Sequence, residues 1–161
     1  MAQRQKGHIY GLKTKKGVAI LQLAEEPETP TSLQLTRVCD GFLEGEYTDE
    51  DILRIVRRPE RFFLETPLRA IGPRSRVYRE FFAFDRPFAL PEGVELPKYQ
   101  RGFAVRSDGS VQWYKKRRGG SDRRFVNVLT KAFLQLSPDS CWSLPDLREF
   151  LESGKAISDY V

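Results

Sequence analysis

Two β-prone runs, Gly7-His8-Ile9-Tyr10-Gly11-Leu12-Lys13-Thr14 and Val18-Ala19-Ile20-Leu21-Gln22-Leu23, flank the short turn Lys15-Lys16-Gly17. Both runs are strand-sized, their apolar and β-branched residues favour a pleated backbone, and a glycine in the connection is what a tight hairpin needs. An antiparallel ladder therefore opens the chain, and whatever follows must extend it or cover it. Beyond Pro27 and Pro30, which prevent regular structure, Leu33, Leu35, Arg37 and Cys39 alternate with Gln34, Thr36 and Val38. That pattern is a third strand, closed by Asp40-Gly41. Further strands are predicted at 62–65, 77–84 and 103–106, and Ser107-Asp108-Gly109-Ser110 turns the last of these into Val111-Gln112-Trp113-Tyr114.

Helices are few and short. Thr48 precedes Asp49-Glu50-Asp51, then Ile52, Ile55 and Val56, and the run stops before Pro59. A side-chain oxygen ahead of the run and carboxylates in its first turn are the signals of a capped helix N-terminus. This triplet is also the densest carboxylate set in the chain, and the cap reading is preferred over metal binding or acid–base catalysis. A second helix is expected from Pro145 to Glu152, with Ser143 as N-cap, Gly154 as stop, and Leu144, Leu147, Phe150 and Leu151 on one face for docking. Residues 129–136 form a further short candidate. The stretch 86–97 holds three prolines and is expected to be an extended connection packed by its own apolar side chains. These expectations add up to an α+β fold, predominantly antiparallel β, with six to eight strands in a curved sheet or partly closed barrel and a few short helices. A chain of 161 residues that is 40% hydrophobic suffices for one domain with a single core, so 1–161 is taken as one unit.

Composition narrows the chemistry. His8 is the single histidine, at a strand start where a solvent-exposed or merely satisfied imidazole is expected. Cys39 and Cys141 are too far apart in sequence for a metal-binding or redox pair, and both read as small buried apolar residues. Phosphate-cradling glycine loops, zinc-protease spacing and nucleophile elbows are all missing. The expectation is therefore a protein that is not an enzyme and carries no cofactor and no metal. No run of 18 apolar residues occurs and the first residues lack an apolar leader stretch, so a soluble, cytoplasmic protein with no membrane partner is expected.

The net charge of +5 hides an uneven distribution. Residues 1–24 hold five basic and no acidic side chains, 25–51 hold one and nine, and 52–131 hold nineteen and eight. The sharpest feature is Trp113-Tyr114-Lys115-Lys116-Arg117-Arg118-Gly119-Gly120-Ser121-Asp122-Arg123-Arg124, where six of the ten residues from 115 to 124 are basic around a Gly-Gly pair. Read as a mobile loop, it offers guanidinium forks for carboxylates or phosphates with two aromatics at its base. Three readings stand: a solvated loop, a contact site for an acidic protein, or a nucleic-acid grip; in either contact reading the partner-binding residues are Trp113, Tyr114, Lys115, Lys116, Arg117, Arg118, Arg123 and Arg124. Seven phenylalanines, at 62, 63, 81, 82, 84, 88 and 103, crowd the middle of the chain. Neighbouring strand residues point to opposite faces, so either both sheet faces are covered or one binds a partner.

A resemblance spans nearly the whole chain. Gly7-His8-Ile9-Tyr10-Gly11-Leu12 with its hairpin, Arg37-Val38-Cys39-Asp40-Gly41-Phe42, Pro67-Leu68-Arg69-Ala70-Ile71, the run 91–103, Asp108-Gly109 with Trp113-Tyr114, and Leu136-Ser137-Pro138 with Trp142 resemble the mostly β immunity protein 26 family of bacterial polymorphic toxin systems. These are turn and core residues. The resemblance implies a cytosolic inhibitor that blocks a cognate toxin protein by binding it; the alternative, a nucleic-acid-binding module, rests on the basic loop 115–124. Inhibitors of nuclease toxins tend to be acidic, and this chain has a pI near 9.3. Either the acidic segment 25–51 makes the contact or the toxin is not a basic nuclease.

Overall fold

The computed structural model describes residues 6–25, 33–66 and 80–160. Strands β1 (His8–Thr14), β2 (Gly17–Leu23), β3 (Gln34–Leu43), β4 (Glu60–Thr66) and β5 (Phe81–Pro87) form one five-stranded antiparallel sheet in the order β4-β3-β2-β1-β5. The predicted opening hairpin is there, in the register Leu12 opposite Ala19. β3 does not close at Asp40-Gly41. It runs on to Leu43, with Gly41 at φ 113° where Arg58 Nη1 passes 2.7 Å from the position a Cβ would take. A glycine there bends the strand and makes room for the arginine. Residues 67–71 and 77–79, which carried part of the resemblance and of a predicted strand, lie outside the described residues.

A second sheet of four strands follows in the order β8-β7-β6-β9, from β6 (Tyr99–Val105), β7 (Val111–Arg117), β8 (Arg123–Phe125) and β9 (Ser137–Pro138). β6, β7 and β8 are antiparallel, and the two-residue β9 joins β6 in parallel. The protein is thus predominantly antiparallel β, as expected, and among the described residues it has three short helices and two sheets that do not close into a barrel. Physically, among the described residues β5 pairs with β1 alone, it ends at Pro87, and the connection after it carries Pro91 and Pro97, so that missing amide donors end the ladder before a new hairpin begins.

Both faces of the first sheet are covered. On one, Tyr10, Leu12, Leu21, Val38, Phe62 and Leu64 pack under Trp142 and under Leu144, Leu147 and Leu151 of α3 (Leu144–Ser153). The other face carries Ile9, Ile20, Cys39 and Leu43 against Ile52, Ile55 and Val56 of α1 (Asp49–Val56) and against Phe88. Beside them Phe63, Leu35 and Ala24 meet Val94 and Leu96 of the proline-rich connection. Phe62 and Phe63 therefore do serve opposite faces, and the connection packs by its own apolar residues. Thr48 caps α1 in a reciprocal box with Asp51, and Ser143 caps α3, which Gly154 ends in the left-handed conformation. The candidate helix at 129–136 shrinks to α2 (Lys131–Leu134), capped by Thr130. A 3-10 turn at Ile157–Asp159 completes the described chain. No helix among the described residues is long and apolar enough to cross a membrane.

Candidate interaction site on the second sheet

The basic stretch is not a free loop. Lys115, Lys116 and Arg117 are the end of β7, Arg123 and Arg124 begin β8, and only residues 118–122 form the turn between them. Lys115 faces Arg124 and Lys116 faces Arg123 across the ladder. Like charges opposed on neighbouring strands repel. The hairpin forms because two of the cations have internal carboxylates and the apolar residues beneath it hold the register.

Those commitments divide the eight residues singled out from the sequence. Tyr114 is buried, its ring lying across Gly102 so closely that a Cβ there would stand 2.5 Å from the phenol oxygen. Its hydroxyl donates to Asp139 Oδ2 at 2.8 Å, and Lys116 Nζ meets Asp139 Oδ1 at 2.6 Å. Burial pushes the Tyr114 phenol above its ordinary value, and the hydrogen bond and negative charge of Asp139 add to that. Arg118 forks onto Glu25, with Nη1 donating to Oε2 at 2.9 Å and Nη2 to Oε1, while its Nε donates to the Pro97 carbonyl at 3.1 Å. Trp113 is half-buried, edge-on to Phe103 and to Phe133 of α2. Trp113, Tyr114, Lys116 and Arg118 are thus tied into the fold.

The other four face solvent without a carboxylate partner among the described residues. Lys115 Nζ sits 4.1 Å from the Tyr99 ring centre and Arg123 lies 4.5 Å over Tyr114, both cation–π arrangements. Arg117, Arg123 and Arg124 are exposed. Beside Arg117 and Arg118 an open groove of about 500 Å³ runs past Glu95, Pro97 and Lys98. The arrangement presents fixed positive charge at one end of a rigid sheet, suited to holding carboxylates or phosphates.

Elsewhere, two of the three carboxylates in the acidic triplet have structural partners. Asp51 takes part in the α1 cap, and Asp49 pairs with Arg86 at 2.5 Å. Among the described residues no three His, Cys, Asp or Glu side chains come together to hold a metal ion. His8 is half-buried, with its ring 5.3 Å from that of Tyr10.

Two residues of this region escaped the sequence reading. Arg101, on β6, is 2% exposed, donating from Nη2 to the Ile157 carbonyl at 2.7 Å and from Nε to the Leu136 carbonyl at 3.3 Å, with the Trp113 ring 5.5 Å away. Burial holds its guanidinium below the usual arginine value. Asp139 is the shared anchor of Tyr114 and Lys116. A lone aspartate after a Ser-Pro pair gives no sequence signal of that role, whereas the small residues Gly102 and Ala104 alternating with Tyr99, Arg101 and Phe103 do mark two unlike faces. Comparison with protein-family models, curated proteins and solved structures finds no match to this chain.

Proposed function

We propose that this chain is a non-enzymatic binding protein that neutralises a cognate bacterial toxin by direct contact, with the cationic end of β7 and β8 at the interface. The observation that carries the reading is the set of four cations, Lys115, Arg117, Arg123 and Arg124, held on paired strands without carboxylate partners among the described residues. A fold that satisfies Arg118 and Lys116 internally while leaving these at the surface provides a preorganised electrostatic patch. The resemblance of the chain's turn and core residues to the immunity protein 26 family supplies the toxin as the partner. The densest carboxylate set is engaged in helix capping and ion pairing, which further supports a binding role over acid–base chemistry.

The test is co-production in a bacterial host with a panel of polymorphic-toxin domains of differing activity, any encoded beside this gene first. Growth restored by the wild-type chain against one domain of the panel is the expected result. The triple substitution Arg117→Ala, Arg123→Ala, Arg124→Ala should slow association with that domain by roughly tenfold at low salt, because exposed charges steer encounter. A soluble, folded wild-type chain that gives no protection and no complex overturns the proposal.

A further inference from the structure

The register of the second sheet sorts its side chains, and one face carries more than cations. Residues opposite each other share a face. Tyr99, Phe103 and Val105 of β6 therefore project with Arg117, Trp113 and Val111 of β7, and Lys115 and Arg124 join them. At the hairpin end Phe103 is 49% exposed, Val105 64% and Val111 53%. Trp113, half-buried against Phe133, continues this apolar surface inward. The opposite end of the same face is cationic: Lys115, Arg117 and Arg124. α2 sits between the two ends, with Phe133 on Trp113, and the Leu136 carbonyl just beyond it accepts from Arg101.

Six residues separate Val111 from Arg117, about 20 Å at the strand rise. A standard protein interface covers roughly 800 Å² on each partner, a patch about 30 Å across, so one partner reaches both ends. An apolar patch flanked by charge is the make-up of such an interface. Nucleic acid fits less well, since base stacking needs open ring faces. Tyr99 is already faced by the Lys115 ammonium, Tyr114 by Arg123, and Trp113 is walled by Phe103, Phe133 and Arg101. Of the patch itself, Phe103 is the one aromatic, edge-on to Trp113, and the more exposed Val105 and Val111 have no π face to offer. Their exposed area is best matched by apolar side chains, and the cations beyond them by carboxylates.

Resting on the toxin-binding reading, we infer that the partner is a folded protein that sets an apolar patch on Phe103, Val105 and Val111 and a carboxylate cluster on Lys115, Arg117 and Arg124. The area around the hairpin end then holds the complex together, and the cationic end recruits it.

Binding kinetics of the full chain with the toxin domain it protects against in the co-production panel test this directly. Val105→Asp with Val111→Asp should raise the dissociation rate by about tenfold or more, since buried apolar contacts set residence time. Arg117→Glu with Arg124→Glu should instead slow association by about tenfold or more, an effect that shrinks near 0.5 M salt as charges are screened. All four positions are exposed, and the milder pair Val105→Thr, Val111→Thr, with a smaller change in the same direction, guards against a folding artefact. Rates unchanged in every variant while the wild type binds and protects overturn this face and leave the toxin reading standing. A wild type that binds no toxin overturns that reading and this inference with it. Tight, strongly salt-dependent binding of a single-stranded RNA of about 20 nucleotides, lost with Arg117→Glu and Arg124→Glu, overturns the protein partner in favour of nucleic acid.

Discussion

Burial pushes the Cys39 thiol up to about 11, outweighing the lowering pull of the Arg37 guanidinium beside it. Both cysteines look in sequence like small buried residues, and this holds for Cys39 alone. Cys141 is exposed, at an isolated bridge to Glu65 where the chain leaves the second sheet for α3. Partial burial and the Glu65 charge raise its pKa as well. Since the thiolate is the reactive species, a disulfide-exchange reagent at pH 8 should titrate one thiol in the native protein, with the second appearing only in denaturant. Mass-mapped labelling of Cys39 under native conditions would contradict this. Arg37 is the less legible neighbour. It alternates with polar Thr36 as though one face of β3 met water, yet it is 0% exposed. Its Nη1 donates to Gln22 Oε1 at 3.1 Å and to the Val56 carbonyl at 3.0 Å, its Nη2 to the Arg58 carbonyl, and its Nε to Glu60. The acceptors come from β2, the end of α1 and the start of β4, so no local pattern could foretell that the charge would be satisfied there.

Elements with strong local signals came out where the sequence put them. α1 is the clearest, because Thr48 and Asp51 satisfy each other's backbone amides without outside help. Thr48→Ala should lower stability by about 1 kcal/mol at neutral pH. The pH dependence follows from Asp51. Hydrogen bonds from the Thr48 backbone, and then from its hydroxyl, hold the carboxyl below its ordinary value. A depressed folded-state pKa stabilises fully above the unfolded value near ~3.9 and is lost as pH falls through the folded value. Urea melts should therefore show a smaller gap between wild type and Thr48→Ala at pH ~2 than at pH 7, the part that remains being the bond Thr48 Oγ1 accepts from the Asp51 amide. A constant gap across that range would show that the hydroxyl–carboxylate bond contributes nothing. β8 and β9 left no comparable mark: strands of three and two residues are too short to show alternation. They exist because β7 and β6 offer open edges to the chain as it passes.

Across the whole molecule, the two sheets are tied by polar contacts that span long sequence separations. The Arg118–Glu25 fork joins the end of β7 to the end of β2, and the Trp142 amide donates to the Glu65 carbonyl of β4 at 3.4 Å. This distinguishes adjacent arginines that look alike in sequence. Arg118→Ala should cost about 1 kcal/mol, the loss of a half-buried bidentate pair, whereas Arg117→Ala should stay within about 0.5 kcal/mol while weakening association with the proposed partner. Thermal melts of the two variants side by side check it, and equal losses would mean that the fork contributes nothing to the union of the sheets.

The sequence by itself determined the fold class, the opening hairpin, the caps of α1 and α3, the Asp108-Gly109 turn and the concentration of cations at 115–124. Each of these rests on contacts within a few residues, through dihedral preferences, capping and alternation. Tertiary structure alone decided that the sheets stay open, that Arg37 and Arg101 are buried, and that Lys116 and Arg118 belong to the fold while Lys115, Arg117, Arg123 and Arg124 face solvent. Those outcomes turn on partners such as Glu25, Asp139 and the Val56 and Ile157 carbonyls, which come near only when distant segments pack. A charge's role depends on what lies within a few ångströms of it, and for these residues the chain's own order does not say.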